Sequence, residues 1–107
     1  MSTPPPAMRL GDVVRELPGA TIAFDVGGQS STGITGVHHD SRAVEPGDLF
    51  VAREGGRVDG LAYVAAAVKR GAVAVIARRG AIERSPGVPV VEVDDVPLAL
   101  ALASAAV

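Results

Sequence analysis

LFVAREGGRVDGLAYVAAAVKRGAVAVIA, residues 49–77, sets out a strand, a helix and a second strand in succession. Leu49-Phe50-Val51-Ala52 is a short apolar run of the kind that fills a buried strand. Gly55-Gly56 breaks it, and Asp59 is a good N-cap for a helix. From Gly60 to about Arg70 the spacing predicts that helix, with Leu61, Val64, Ala65 and Val68 on its buried side. Lys69 and Arg70 fall in its last turn, where cations suit the helix dipole. Gly71 supplies a left-handed cap. Ala72 to Ala77 is then continuously apolar, as in a strand covered on both faces. A strand, a helix and such a strand form a βαβ unit.

Working outward, Val90-Val91-Glu92-Val93 reads as a further strand, reached through a mixed connection over residues 81–89. Asp94 or Asp95 caps a final helix, with Pro97 near its first turn. On the other side, Pro46-Gly47 is a turn dipeptide, Ile34 to His39 a strand, and Gln29 to Gly33 a loop or hairpin. Leu10, Val13, Val14 and Leu17 have helical spacing, stopped by Pro18-Gly19 after about two turns. So short a helix holds only by docking its apolar face. Three consecutive prolines in residues 2–7 exclude helix and central strand there. The expected fold is a compact α/β domain with a mixed, partly parallel sheet and flanking helices. Residues 1–8 are expected as a disordered tail, 9–95 as the domain and 96–107 as a helix leading onward. No internal repeat is visible.

Composition narrows the function. The 107 residues contain no Cys, which removes disulfides, thiolate chemistry and Cys-type zinc sites. With no Trp, one Tyr and two Phe, a hydrophobic content of 48% must pack as an aliphatic, Ala- and Val-rich core. The net charge of −2 argues against a nucleic-acid module. There is no basic-then-apolar leader, and the apolar run Val96 to Val107 falls short of the roughly 20 residues of a membrane helix. A cytoplasmic monomer, without nucleic-acid or membrane partner, is the expectation.

The polar triplet Asp40-Ser41-Arg42 comes directly after a strand, and so does the loop Arg53-Glu54-Gly55-Gly56-Arg57-Val58-Asp59-Gly60. Ligands of open α/β sheets sit outside the carboxyl ends of strands. A hydroxyl, a guanidinium and backbone amides suit a diphosphate, and a glycine loop that opens a helix favours an anion. The two loops can form the lips of one cleft. A plainer reading stands beside this one: Ser41 caps a turn, Arg42 pairs with Asp40 or Asp48, and the glycines only turn the chain. No Gly-Lys-Ser/Thr occurs, so neither loop is a Walker P-loop. His38 and His39 point to opposite faces of a strand and lack a third ligand, so no metal is expected.

The string Gly36-Val37-His38-His39-Asp40-Ser41-Arg42-Ala43-Val44-Glu45-Pro46-Gly47-Asp48-Leu49-Phe50-Val51-Ala52 resembles the signature of the N-terminal domain of MurE-type and MurF-type Mur ligases. Val58-Asp59-Gly60, Tyr63, Ala67 and Gly71 to Val75 continue it in register, and the resemblance covers about Ile34 to Val96. It implies a domain that holds the UDP end of a UDP-N-acetylmuramoyl-peptide. Carried over by position, the contacts are His39 and Ser41 in the first loop and Gly56, Arg57 and Val58 in the second, with Arg42 as electrostatic support. Asp48 and Asp59 read as turn and cap residues.

The same resemblance implies an ATP- and Mg²⁺-dependent amide ligase whose catalytic groups lie in central and C-terminal domains. It implies no cofactor and no catalytic residue in these 107 residues, which would then be part of a longer ligase. The MurE type, adding the third residue of the peptidoglycan stem peptide to UDP-N-acetylmuramoyl-L-Ala-D-Glu, is the first reading. His38 to Arg42, and Val88-Pro89-Val90-Val91 with an Asp pair after them, favour it. A MurF type, adding D-Ala-D-Ala, and a stand-alone non-catalytic binding module are the alternatives.

Overall fold

The computed structural model describes residues 8–24, 32–53 and 60–107. In chain order the elements are β1 (Met8–Arg9), α1 (Leu10–Glu16), β2 (Thr21–Ala23), β3 (Gly33–Ile34), β4 (Val37–His38), β5 (Leu49–Val51), α2 (Val64–Lys69), β6 (Ala74–Arg78), β7 (Val90–Val93) and α3 (Val96–Ala106). Single 3₁₀ turns span Ser41–Ala43 and Gly60–Tyr63. The main sheet has the order β2-β7-β6-β5-β4. β4, β5, β6 and β7 are parallel, and β2 runs antiparallel along β7. The mixed α/β sheet with flanking helices is the one expected from the sequence.

Alternation along the strands divides the core between the two faces of the sheet. Leu49, Val51, Ala74, Ile76, Val91 and Val93 face α1 and α3, where they meet Leu10, Val13, Leu17, Val96, Ala99 and Ala103. Phe50, Ala52, Val75, Ala77 and Val90 face α2, where they meet Val44, Val64, Ala67 and Ala72. β6 is thus covered on both sides, and Ala74 to Ala77 are all fully buried. This explains the abundance of Ala and Val: small side chains let three layers approach closely.

Several expectations are refined. Ile34 to His39 is not one strand. β3 pairs with β1 in a separate two-stranded ribbon, whereas β4 joins the main sheet. The chain changes sheet at Thr35-Gly36, held there by Thr35 N–H to Gly47 C=O (3.0 Å) and Leu49 N–H to Gly36 C=O (2.8 Å). Met8, expected in the tail, pairs with Ile34; residues 1–7 lie outside the described residues. The α2 helix buries Val64 and Ala67, while Ala65 is exposed. Its first turn, Gly60–Tyr63, is 3₁₀, and three residues per turn instead of 3.6 rotates the apolar stripe onto positions 61, 64 and 67. The expected Asp59 cap lies outside the described residues. β2 is an addition to the elements expected. At the other end, α3 packs into the same core as β5, β6 and β7.

Turn chemistry sets the spacing of the layers. Gly71 ends α2 with φ +109°, and a Cβ there would stand 2.6 Å from Pro46 Cα. No L side chain fits that conformation and that gap. Its carbonyl accepts from Gly47 N–H at 3.0 Å, which joins the end of α2 to the turn before β5. Asp95 caps α3 by accepting from the Leu98 amide at 3.0 Å, and Pro97 occupies the first turn, where its missing N–H costs nothing.

Candidate functional site

Because β4 to β7 are parallel, their carboxyl ends share one edge of the sheet. Residues 39–42 leave β4 at that edge, 52–60 leave β5, 79–81 leave β6 and 94–96 leave β7. The two loops singled out in the sequence therefore emerge from adjacent strands at the edge where α/β sheets bind ligands. Of the second loop, Gly56, Arg57 and Val58 lie outside the described residues. Its base is defined: Gly60 N–H donates to Arg53 C=O at 2.7 Å. A Cβ on Gly60 would come within 2.6 Å of the Arg53 nitrogen, so only glycine closes the loop this tightly.

In the first loop, Asp40 caps the 3₁₀ turn by accepting from the Arg42 amide at 2.9 Å. It also accepts from Arg42 Nε (3.1 Å) and Nη2 (2.9 Å), a two-pronged pair. These bonds to Arg42, side chain first and then backbone, lower the Asp40 pKa from 3.8 to about 2. The Arg42 pKa is raised, chiefly by the same hydrogen bond and by the Asp40 charge, with a smaller contribution from Tyr63. Of the two pairings open to Arg42, the structure shows the one with Asp40. Nη1 has no hydrogen-bond partner among the described residues.

Ser41 differs from both neighbours. It is 8% exposed, and its hydroxyl makes no hydrogen bond among the described residues. Its carbonyl accepts from Val44 N–H at 3.4 Å. The hydroxyl of so buried a residue usually finds a protein partner. This one has none among the described residues, and it follows β4 at the carboxyl-end edge of the sheet. His39, beside it, is exposed.

Asp48 stands just before β5, the parallel neighbour of β4. It is 4% exposed and accepts from Thr35 Oγ1 (2.9 Å) and the Glu45 amide (2.8 Å), with His38 Nε2 3.3 Å away. The turn role expected of Asp48 is visible in the Glu45 bond. Its wider duty is to fix His38, which immediately precedes the exposed His39. Gly36 permits this, since a Cβ there would be 2.9 Å from Asp48 Oδ1. No group of three His, Asp or Glu side chains among the described residues could hold a metal ion.

A cavity of about 300 Å³ opens farther along the same edge, lined by Arg53, Arg78, Asp94, Asp95, Val96 and Pro97. Sequence reasoning marks none of these as a ligand contact. They are brought together only by the order β7-β6-β5. Beside the cavity, Arg79 donates to Gly19 C=O (2.6 Å), Thr21 Oγ1 (2.7 Å) and Asp94 Oδ1 (3.1 Å), which ties β2 and the start of α3 to the end of β6.

Comparison with known proteins places this geometry in context. The family described as "Mur ligase family, catalytic domain" matches residues 33–107. A UDP-N-acetylmuramoyl-L-alanyl-D-glutamate–2,6-diaminopimelate ligase of Chelativorans sp. is 48% identical over 98 residues, 92% of this chain and 19% of the relative. The ligase of the same name from Caldanaerobacter subterraneus is 42% identical over 94 residues, 88% of this chain and 18% of the relative. Among solved structures, the UDP-N-acetylmuramoylalanyl-D-glutamyl-2,6-diaminopimelate–D-alanyl-D-alanyl ligase of Acinetobacter baumannii superposes with a TM-score of 0.70 at 28% identity. That alignment covers 92% of this chain and 21% of the other. The chain spans about one fifth of the length of the curated relatives it matches.

Proposed function

This chain belongs to the Mur ligase family, and from that premise we propose that it is the N-terminal, UDP-binding part of a MurE-type amide ligase. Its ligand is the UDP end of UDP-N-acetylmuramoyl-L-alanyl-D-glutamate, and the whole enzyme adds the third stem-peptide residue in peptidoglycan synthesis. The observation that carries this reading is the pair of loops on adjacent parallel strands, with the Ser41 hydroxyl unpartnered among the described residues. His39 contacts the uridine, and Ser41 donates to the diphosphate or the uridine. Arg42 supports the charge, and Gly56, Arg57 and Val58 supply the opposing lip. The names of the relatives favour 2,6-diaminopimelate as the amino acid added.

ATP and Mg²⁺ belong to the whole ligase. The residues of this chain do not fit them: there is no Gly-Lys-Ser/Thr sequence, and no three acidic or histidine side chains converge among the described residues. The contribution of this chain is to hold and orient the substrate for groups in central and C-terminal domains. A cytoplasmic location goes with the proposed substrate, a nucleotide-activated precursor, and we take the enzyme to be a monomer. Among the described residues no helix is long and apolar enough to cross a membrane.

Titration of the chain with UDP-N-acetylmuramoyl-L-alanyl-D-glutamate, monitored by amide NMR, tests the reading. Saturable shifts centred on His39 to Arg42 are expected. No response at millimolar ligand would leave a fold without its binding role. The MurF type is the second reading, favoured by the solved-structure likeness. Incorporation of D-Ala-D-Ala rather than diaminopimelate by the full-length enzyme would establish it.

A further inference from the structure

Residues 39–48 carry the chain from the end of β4 back to the start of β5. The two strands are parallel, with Val37 level with Leu49, so this connection returns the full length of the pair. Parallel strands are usually joined by a longer crossover that includes a helix. Here the regular structure is only the 3₁₀ turn Ser41–Ala43. Its closing bond, from Val44 N–H to Ser41 C=O, is long at 3.4 Å. So short a turn does not fix its own position, and its hold comes from outside.

The helix α2 supplies that hold. It lies against the Ser41–Ala43 turn, and Val44, 1% exposed, packs with Val64 and Ala67. From the C-terminal end of the helix, Arg70 Nε–H donates to the Val44 carbonyl at 3.2 Å. Among the described residues no backbone amide donates to that carbonyl. The guanidinium thus satisfies an acceptor that secondary structure leaves unpaired. At the opposite end of the helix, Tyr63 is close enough to act on the Arg42 charge, and Gly60 closes the second loop on Arg53. One helix therefore joins the two proposed lips. A cation at the end of α2 also suits the helix dipole, and Lys69 supplies one in the last turn. Arg70 differs from Lys69 in its bond to Val44.

We infer that Arg70 is a positioning residue for substrate binding: through the Val44 carbonyl it sets where the Ser41–Ala43 turn stands at the ligand edge. That the turn receives a UDP-sugar rests on the function proposed above. That Arg70 places the turn rests on its hydrogen bond and on the packing of Val44.

Arg70→Gln and Lys69→Gln, compared in the same chain, test it. Each removes one charge from the end of α2, so both should lose similar, small amounts of thermal stability. Only Arg70→Gln is expected to shift the Ser41, Arg42 and Val44 amide resonances of the ligand-free chain. It should also weaken binding of UDP-N-acetylmuramoyl-L-alanyl-D-glutamate about fivefold, the worth of one hydrogen bond. Arg70→Lys keeps the charge but displaces the donor, and keeps the test open if Arg70→Gln does not fold. The same amides should shift there, with a loss of affinity of about twofold. Undisturbed Ser41 and Arg42 amides in either folded variant overturn the inference, as does an unchanged affinity or a loss that Lys69→Gln matches. A wild-type chain that does not bind the ligand counts instead against the UDP reading, and the ligand-free amide shifts still decide whether Arg70 places the turn.

Discussion

The Thr35 hydroxyl donates to Asp48 Oδ1 at 2.9 Å, across the point where the chain leaves the β1–β3 ribbon for the main sheet. The same carboxylate accepts the Glu45 amide and lies beside His38 Nε2. One buried group therefore braces the approach to β4, its end, and the turn before β5. Asp48→Ala removes the acceptor and strands its donors, and should lower stability by about 1–3 kcal/mol. Urea unfolding measures the loss. Amide shifts reaching His39 and Ser41 are expected in the folded variant; an undisturbed first loop would mean Asp48 does not position it.

Gly71 and Gly80 make a controlled comparison. Both have positive φ, +109° and +79°, but an added Cβ meets Pro46 Cα at 2.6 Å in the first and nothing within 4 Å in the second. Gly80→Ala should cost only the left-handed penalty, about 1–2 kcal/mol. Gly71→Ala adds a backbone clash and should melt well below it. Equal melting temperatures would mean that Pro46 yields freely.

Ser41→Ala separates a turn residue from a ligand contact. With no protein partner for the hydroxyl among the described residues, thermal stability should barely change. Affinity for UDP-N-acetylmuramoyl-L-alanyl-D-glutamate should fall by roughly 1–2 kcal/mol, the worth of a hydrogen bond to a charged acceptor. Calorimetric titration reads the second quantity and a thermal melt the first. Lost stability with intact binding would return Ser41 to a structural role.

Asp40 should titrate near its value of about 2, and Arg42→Ala should return it toward 3.8, because the Arg42 hydrogen bonds are the main cause of the shift. A folded pKa below the unfolded one means that the pair's contribution is fully present above about pH 4. It is lost as pH falls from 3.8 through about 2. Both side chains are solvent-accessible, so the effect is screened by salt. Carboxyl NMR titration at low and high ionic strength checks both the value and the screening.

How much of this is legible in the sequence depends on element length. The β5–α2–β6 unit announces itself through apolar runs, a helical stripe and Gly71. β7 is equally plain, and so is a cap for α3, although the choice of Asp95 over Asp94 needs the structure. β1 and β2, at two and three residues, are too short to show a period. The break at Thr35-Gly36 is invisible because a chain that changes sheets keeps its extended conformation. The exposed Ala65 reads as buried because a 3₁₀ first turn and an α first turn look alike in sequence. For the site, His39, Ser41 and Arg42 are marked by their pattern, whereas Arg70 and Val44 need the fold to meet.

β7 sits between β6 and β2, so Thr21 pairs with Glu92 across most of the sequence. A nascent chain that has not yet delivered Val90 to Val93 can assemble β4, β5 and β6 from local contacts, but it has nothing to offer β2. The last strand thus acts as a checkpoint. Its arrival closes the longest loop of the sheet at once, and synthesis that stalls before it leaves β6 as an open, largely apolar edge, ready to pair with another chain.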